Sequence, residues 1–137
     1  MFFGKRKNED TNEDLSKVAA LLIHAAKIDE NYSNQEEKII KQTLLKIGVN
    51  KENLEKIIQK GKNIEENSNQ ILEFTREVKN MDYEKKIEII EALWRIIYSN
   101  NEADMYETSL MRRLAGLLYI DNNVMGNIKT KILKENS

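Results

Sequence analysis

The chain has 137 residues with 22 basic and 23 acidic side chains, a formal charge of −1, no cysteine, no proline and a single histidine. That length suits one domain, and the missing cysteines exclude disulfides and thiolate metal sites, while the lone His24 leaves oxygen ligands as the only plentiful ones. Charges of both signs are interspersed along the chain, so no nucleic-acid footprint is indicated.

Residues 1 to 11 are expected to be a flexible segment, followed by one helical domain over residues 12 to 137. The start, MFFGKRKNED, is too short and too charged for a signal peptide or a membrane span. Its Phe2, Phe3, Lys5, Arg6, Lys7 cluster offers at most a peripheral contact with an anionic membrane, and a frayed terminus is the plainer reading. A soluble, cytoplasmic protein is expected.

Beyond that segment apolar residues recur every three or four positions, which predicts helices throughout and no strand. The first helix runs from about Asn12 to Lys27, with Leu15, Val18, Ala19, Leu22, Ala25 and Ala26 as its buried stripe. Ser33 opens the second as N-cap, Glu36 completes an S-x-x-E capping box, and Gly48 closes the helix. Asn50 caps a third helix, expected to stop at Gly61, and the polar stretch KNIEENSN then leads to a fourth bearing Ile71, Phe74 and Val78. Asp82 starts the fifth, whose Ile87, Ile90, Leu93, Trp94 and Ile97 make the most apolar face and the expected centre of the core. Asp104 with Glu107 repeats the capping-box pattern for a sixth, and Asp121 caps a seventh carrying Val124, Met125, Ile128 and Ile132.

Displacing the chain by 71 positions superimposes these patterns without a gap. Leu22 falls on Leu93, Ala26 on Ile97, Ile40 on Met111, Ile57 on Ile128, and the caps Ser33 and Asn50 fall on Asp104 and Asp121. The expectation is an all-α domain of about seven helices, in which pseudo-repeats over 12 to 60 and 83 to 134 share one core and the fourth helix connects them.

Each repeat contains an acidic corner. DENYSNQEE begins at Asp29 and NNEADMYET at Asn100, so Asp29, Asn31, Ser33 and Glu36 fall on Asn100, Glu102, Asp104 and Glu107. Capping accounts for Ser33, Glu36, Asp104 and Glu107. It leaves Asp29 and Glu30 at a helix C-terminus, whose partial negative charge disfavours carboxylates. Two readings stand: corners that are structural and bind protein, or weak sites for Ca²⁺ or Mg²⁺ with Asp29, Asn31, Glu36, Asn100, Glu102, Asp104 and Glu107 as candidate metal ligands. An EF-hand is excluded, because position six is Asn34 where glycine is needed and position twelve is Ile40 where glutamate is needed.

Such corners, recurring about seventy residues apart, resemble those of the tellurite-resistance protein B (TerB) family, whose corner usually reads Ala-Asp-Gly-x-Ile-x-x-x-Glu. Here AKIDENYSNQE keeps Asp29 and Glu36 but has Glu30 for the glycine and Tyr32 for the isoleucine. SNNEADMYE keeps Glu107 but has Asn100 for the aspartate, Asn101 for the glycine and Ala103 for the isoleucine. The resemblance spans roughly residues 12 to 133. It implies a compact helical domain with two pseudo-equivalent halves, an acidic cluster suspected of holding divalent metal, no known enzymatic activity, and docking to protein partners in stress-linked or membrane-proximal assemblies of bacteria. Asn100 removes one charge from that implied cluster.

Little else carries chemistry. His24 falls opposite Arg95 in the repeat and lies at the edge of the apolar stripe, with no second histidine or cysteine to join it as a ligand. Trp94 and Tyr98 read as core aromatics, Gly116 equally as a point of close helix approach or as drift, and Arg112 or Arg113 as ion-pair partners for Glu107 or Asp104. No activated nucleophile and no glycine-rich phosphate loop is recognisable, so an enzyme is not expected. A non-enzymatic binding module with a protein partner is the leading expectation, and a divalent-cation-responsive module the alternative.

Overall fold

The structure, a computed structural model, describes residues 12 to 28, 33 to 67, 71 to 100 and 105 to 135, without the side chains of 71, 72, 100 and 105 to 108. The described residues form α-helices, one 3₁₀ turn and no strand. The helices are α1 (Asn12–Lys27), α2 (Asn34–Lys46), α3 (Lys51–Asn67), α4 (Ile71–Lys79), α5 (Tyr83–Ile97), α6 (Met105–Leu117) and α7 (Asn122–Glu135), with the 3₁₀ turn Tyr98–Asn100 after α5. The starts of α1, α2 and α3 precede those of α5, α6 and α7 by 71 residues in each case, and α2 and α6 also end 71 residues apart.

Two central helices organise the core. In α1 every residue from Val18 to Ile23 is buried, a wider face than the expected stripe, because α3, α4, α5 and α2 surround it. A helix covered on all sides needs apolar residues all round, and Ala20, Leu21 and Ile23 supply them. In α5 the run from Ile89 to Trp94 is likewise buried, against α1, α2 and α7. The connector α4 has no counterpart in the repeat; it lays Phe74 and Val78 into the core beside α1. Full burial of each such Leu, Ile or Phe contributes about 1.5–3 kcal/mol, so the two central helices hold the fold together mainly through these side chains.

Helix α3 does not stop at Gly61, as expected, but continues to Asn67. Gly61 is a point of close approach. A Cβ added there would stand 2.8 Å from Ala19 Cβ, 3.1 Å from Ser16 O and 3.2 Å from Ala20 N. Small residues on both helices let α1 and α3 pack backbone to backbone. The equivalent seam between α5 and α7 has Ile87, Ile90 and Ile132 where α1 and α3 have Ser16, Ala19 and Gly61. Gly116, which reads equally as such an approach or as drift, is exposed, and a Cβ added there would meet nothing within 4 Å, so among the described residues no neighbouring helix demands a glycine at that position and the second reading holds.

The ends of α2 and α6 are built alike. Gly48 N donates to Leu45 O at 3.2 Å and Val49 N to Leu44 O at 2.9 Å; 71 positions later Tyr119 N donates to Gly116 O at 3.3 Å and Ile120 N to Ala115 O at 2.9 Å. This pair of bonds satisfies the last carbonyls of each helix and requires a left-handed residue. Gly48 takes φ +116° and Tyr119 takes φ 58°. Lys86 Nζ adds a bond to Leu118 O at 3.3 Å, a cation at the negative end of α6.

Candidate functional site at the helix corners

Ser33 caps α2 as expected. Its backbone is extended, Glu36 N donates to Ser33 Oγ at 3.2 Å, and Ser33 N donates to Glu36 Oε1 at 2.8 Å. Glu36 is only 3% exposed, so the capping box commits one of its carboxylate oxygens inside the protein. Glu37, its neighbour, faces Lys62 at 3.3 Å and Lys41 at 3.7 Å.

Of the other metal candidates, Asp29, Asn31, Glu102 and Asp104 lie outside the described residues. The backbones of Asn100, at the end of the 3₁₀ turn, and Glu107, in the first turn of α6, are described, but their side chains are not. The capping box expected of Asp104 and Glu107, and ion pairs from them to Arg112 or Arg113, lie outside the described residues too. Among the described residues, no group of three or more His, Asp or Glu is placed to hold a metal ion.

The last turn of α1 is tied to α3. His24 Nδ1 lies 3.3 Å from Glu65 Oε2, and Lys27 Nζ donates to Glu65 Oε1 at 2.7 Å. That bond to Glu65 raises the Lys27 ammonium pKa above its ordinary value, against the opposing effect of burial. His24 also tilts against the Phe74 ring, with centroids 6.1 Å apart. The second unit has the same kind of tie between its first and third helices. Arg95 Nε and Nη2 donate to both carboxylate oxygens of Glu135 at 3.0 and 2.9 Å, and Lys131 Nζ donates to the buried Glu91 at 2.6 Å. The Glu135 bonds raise the Arg95 pKa, and the Glu91 bond raises that of Lys131. Sequence reasoning misses Glu65 because the polar stretch after Gly61 reads as a linker. Ile64, three positions after Gly61, continues the apolar spacing of Leu54, Ile57 and Ile58 and is the available signal.

Trp94 is a core aromatic as expected, and the half-buried Tyr98 packs on the core and stacks with it, centroids 5.8 Å apart; Lys129 Nζ lies 5.5 Å from the Trp94 ring centre. The buried Trp94 Nε1 has no hydrogen-bond acceptor among the described residues.

Among the described residues, two of the clefts on the surface bear on the site. One, of about 490 Å³, lies between the C-terminus of α2 and the N-terminus of α5, where Lys46 Nζ is 3.9 Å from Glu88 Oε2. The other, of about 470 Å³, is mostly apolar and lined by Ile28, Ser109, Leu110 and Arg113. It joins the end of α1 to the start of α6, the two places where the chain enters its first acidic corner and leaves its second. Of its lining residues Leu110 is buried, Ile28 is half-buried, and Ser109 and Arg113 are exposed. The residues lining it form no catalytic constellation among the described residues.

No described helix is long and apolar enough to cross a membrane. The family model for tellurite resistance protein TerB matches residues 15 to 130. No curated protein and no solved structure matches the chain. Because the TerB match covers both helical units and the connector between them, this chain belongs to the tellurite resistance protein TerB family.

Proposed function

We propose that the chain is a non-enzymatic module that docks a protein partner at the end of the molecule where the two corners begin and finish, as part of a stress-response or membrane-proximal assembly. The observation that carries this reading is the apolar groove between Ile28 and Leu110, whose exposed lining residues, Ser109 and Arg113, are polar. Family membership supports the assembly context, since the resemblance implies docking and no chemistry of its own. A photo-crosslinking amino acid placed at Ser109 in the producing cells should give a discrete protein adduct that the same amino acid at Gln59, exposed on α3, does not give. Identical adducts from both positions, or none from either, would reject the docking site.

The density of carboxylates in the corners supports a second reading, a module that responds to Ca²⁺ or Mg²⁺ through Asp29, Asn31, Glu36, Asn100, Glu102, Asp104 and Glu107. A cation that binds only the folded form stabilises it by about 2.7 kcal/mol at a hundred times its dissociation constant. The melting temperature should then rise from EDTA to millimolar Ca²⁺ or Mg²⁺, and Asp29→Asn should blunt the rise. An unmoved melting temperature, with Asp29→Asn equally silent, removes this reading.

A further inference from the structure

We infer that α7 is an exchangeable arm: a second copy of the chain seats its α7 on α5 of the first, and each copy completes the core of the other. The seat is the face of α5 that α7 covers with Met125, Ile128 and Ile132, so the same helix from a second copy fits it contact for contact.

Three features set α7 apart from its counterpart α3. Helix α3 packs against both α1 and α2, whereas among the described residues α5 is the main neighbour of α7. Ile132 stands where α3 has Gly61, and a Cβ added to Gly126, the glycine of α7, would meet nothing within 4 Å, so α7 has no backbone-to-backbone approach like that of Gly61 on Ala19. The third feature is the turn between α6 and α7, residues 118 to 121. It is held left-handed at Tyr119, φ 58°, where the matching turn has Gly48, and that conformation costs energy for a residue with a Cβ.

Between Gly116 and Gly126 the chain has neither glycine nor proline, so nothing there stops α6 from running straight into α7 once the turn opens. The straightened helix gives up the turn bonds from Tyr119 N and Ile120 N, and the 2.7 Å bond from Asn123 N to the Asp121 carboxylate, for ordinary helical bonds. It also releases the strain at Tyr119. The seam is neutral between the two forms, because the bonds of Lys131 to Glu91 and of Arg95 to Glu135 are remade between copies in the same register. What remains is strain released at two hinges against the cost of joining two copies, so the exchanged form grows with concentration.

The chain has no cysteine, so Arg95→Cys with Glu135→Cys supplies two thiols across the seam and keeps Lys131 on Glu91. Equal amounts of ordinary and isotope-labelled chain are unfolded together, refolded at about 1 mM, cross-linked with a short bis-maleimide and separated by gel filtration. A dimer should appear in which every link joins two chains, about half of them one labelled and one unlabelled, while the monomer holds links within one chain. In the native background Tyr119→Gly, which relieves the strain without opening the turn, should weaken dimerisation about tenfold. Tyr119→Ala, which loses the Lys79 contact but keeps the strain, should dimerise at least as well as the native chain. A chain that stays monomeric, a dimer whose links all lie within single chains, or equal dimerisation of the Gly and Ala variants would overturn the inference.

Discussion

Gly61 of α3 sits so close to Ala19 of α1 that a methyl group at Gly61 would come within 2.8 Å of the Ala19 Cβ. The next nearest atoms, Ser16 O and Ala20 N, are backbone and cannot rotate aside. Gly61→Ala should therefore destabilise, although alanine is the better helix former by about 1 kcal/mol. Overpacking of this kind costs about 1–3 kcal/mol, so denaturant melts should show a net loss of that order. A gain in stability would mean that the seam between α1 and α3 is looser than described. Gly116→Ala, in open space, should instead gain up to about 1 kcal/mol.

The left-handed residues after α2 and α6 should respond in opposite ways. Gly48 has φ +116°, a conformation that side chains rarely adopt, so Gly48→Ala should cost about 1–2 kcal/mol. Tyr119 already bears a strained φ of 58°, is 72% exposed, and makes a contact with Lys79, whose Nζ lies 4.8 Å from its ring centre. Tyr119→Gly should leave stability unchanged or raise it by up to about 1 kcal/mol. Thermal melts of the two variants check this, and equal losses at both positions would contradict it.

Glu36→Ala should lose about 1 kcal/mol in denaturant melts, because Ser33 N would lose its acceptor beside a buried site. Glu36→Gln keeps an acceptor oxygen and should retain most of that stability. A Gln variant as damaged as the Ala variant would place the charge, not the hydrogen bond, at the centre of the role of Glu36.

Hydrogen bonds from Arg95 hold the Glu135 carboxyl below its ordinary value of 4.5. A depressed folded value means that the unfolded chain binds the proton more readily, so this pair stabilises the fold above about pH 4.5 and the contribution disappears as pH falls through the folded value. The stability difference between the native chain and Glu135→Gln should be present near about pH 6 and vanish near about pH 3, small throughout because Glu135 is exposed and solvent screens the pair. A difference that persists unchanged at low pH would exclude this linkage.

Much of the fold is legible in the residues because local signals and tertiary structure agree. Ser33 with Glu36 announces a helix start, Gly48 its end, and the offset of 71 carries the first unit onto the second. Legibility fails where distant packing decides. Gly61 carries the same local message whether it ends a helix or admits a neighbour, and only the position of Ala19 tells them apart. The buried face of α1 is wider than its periodic stripe because its width depends on α4, which nothing in α1 itself announces. At the candidate site, Glu36 is the cap that its spacing from Ser33 implies, and the remaining ligand candidates have side chains outside the described residues. The groove joins residues 28 and 110, a proximity that no local pattern encodes.

The contrast between Ser16, Ala19 and Gly61 in one seam and Ile87, Ile90 and Ile132 in the other makes the halves related but not interchangeable. Exchanged between seams, slim α3 would leave voids against the bulky isoleucines of α5, while α7 would drive Ile132 into the narrow face of α1. Each third helix thus recognises its own first helix by girth.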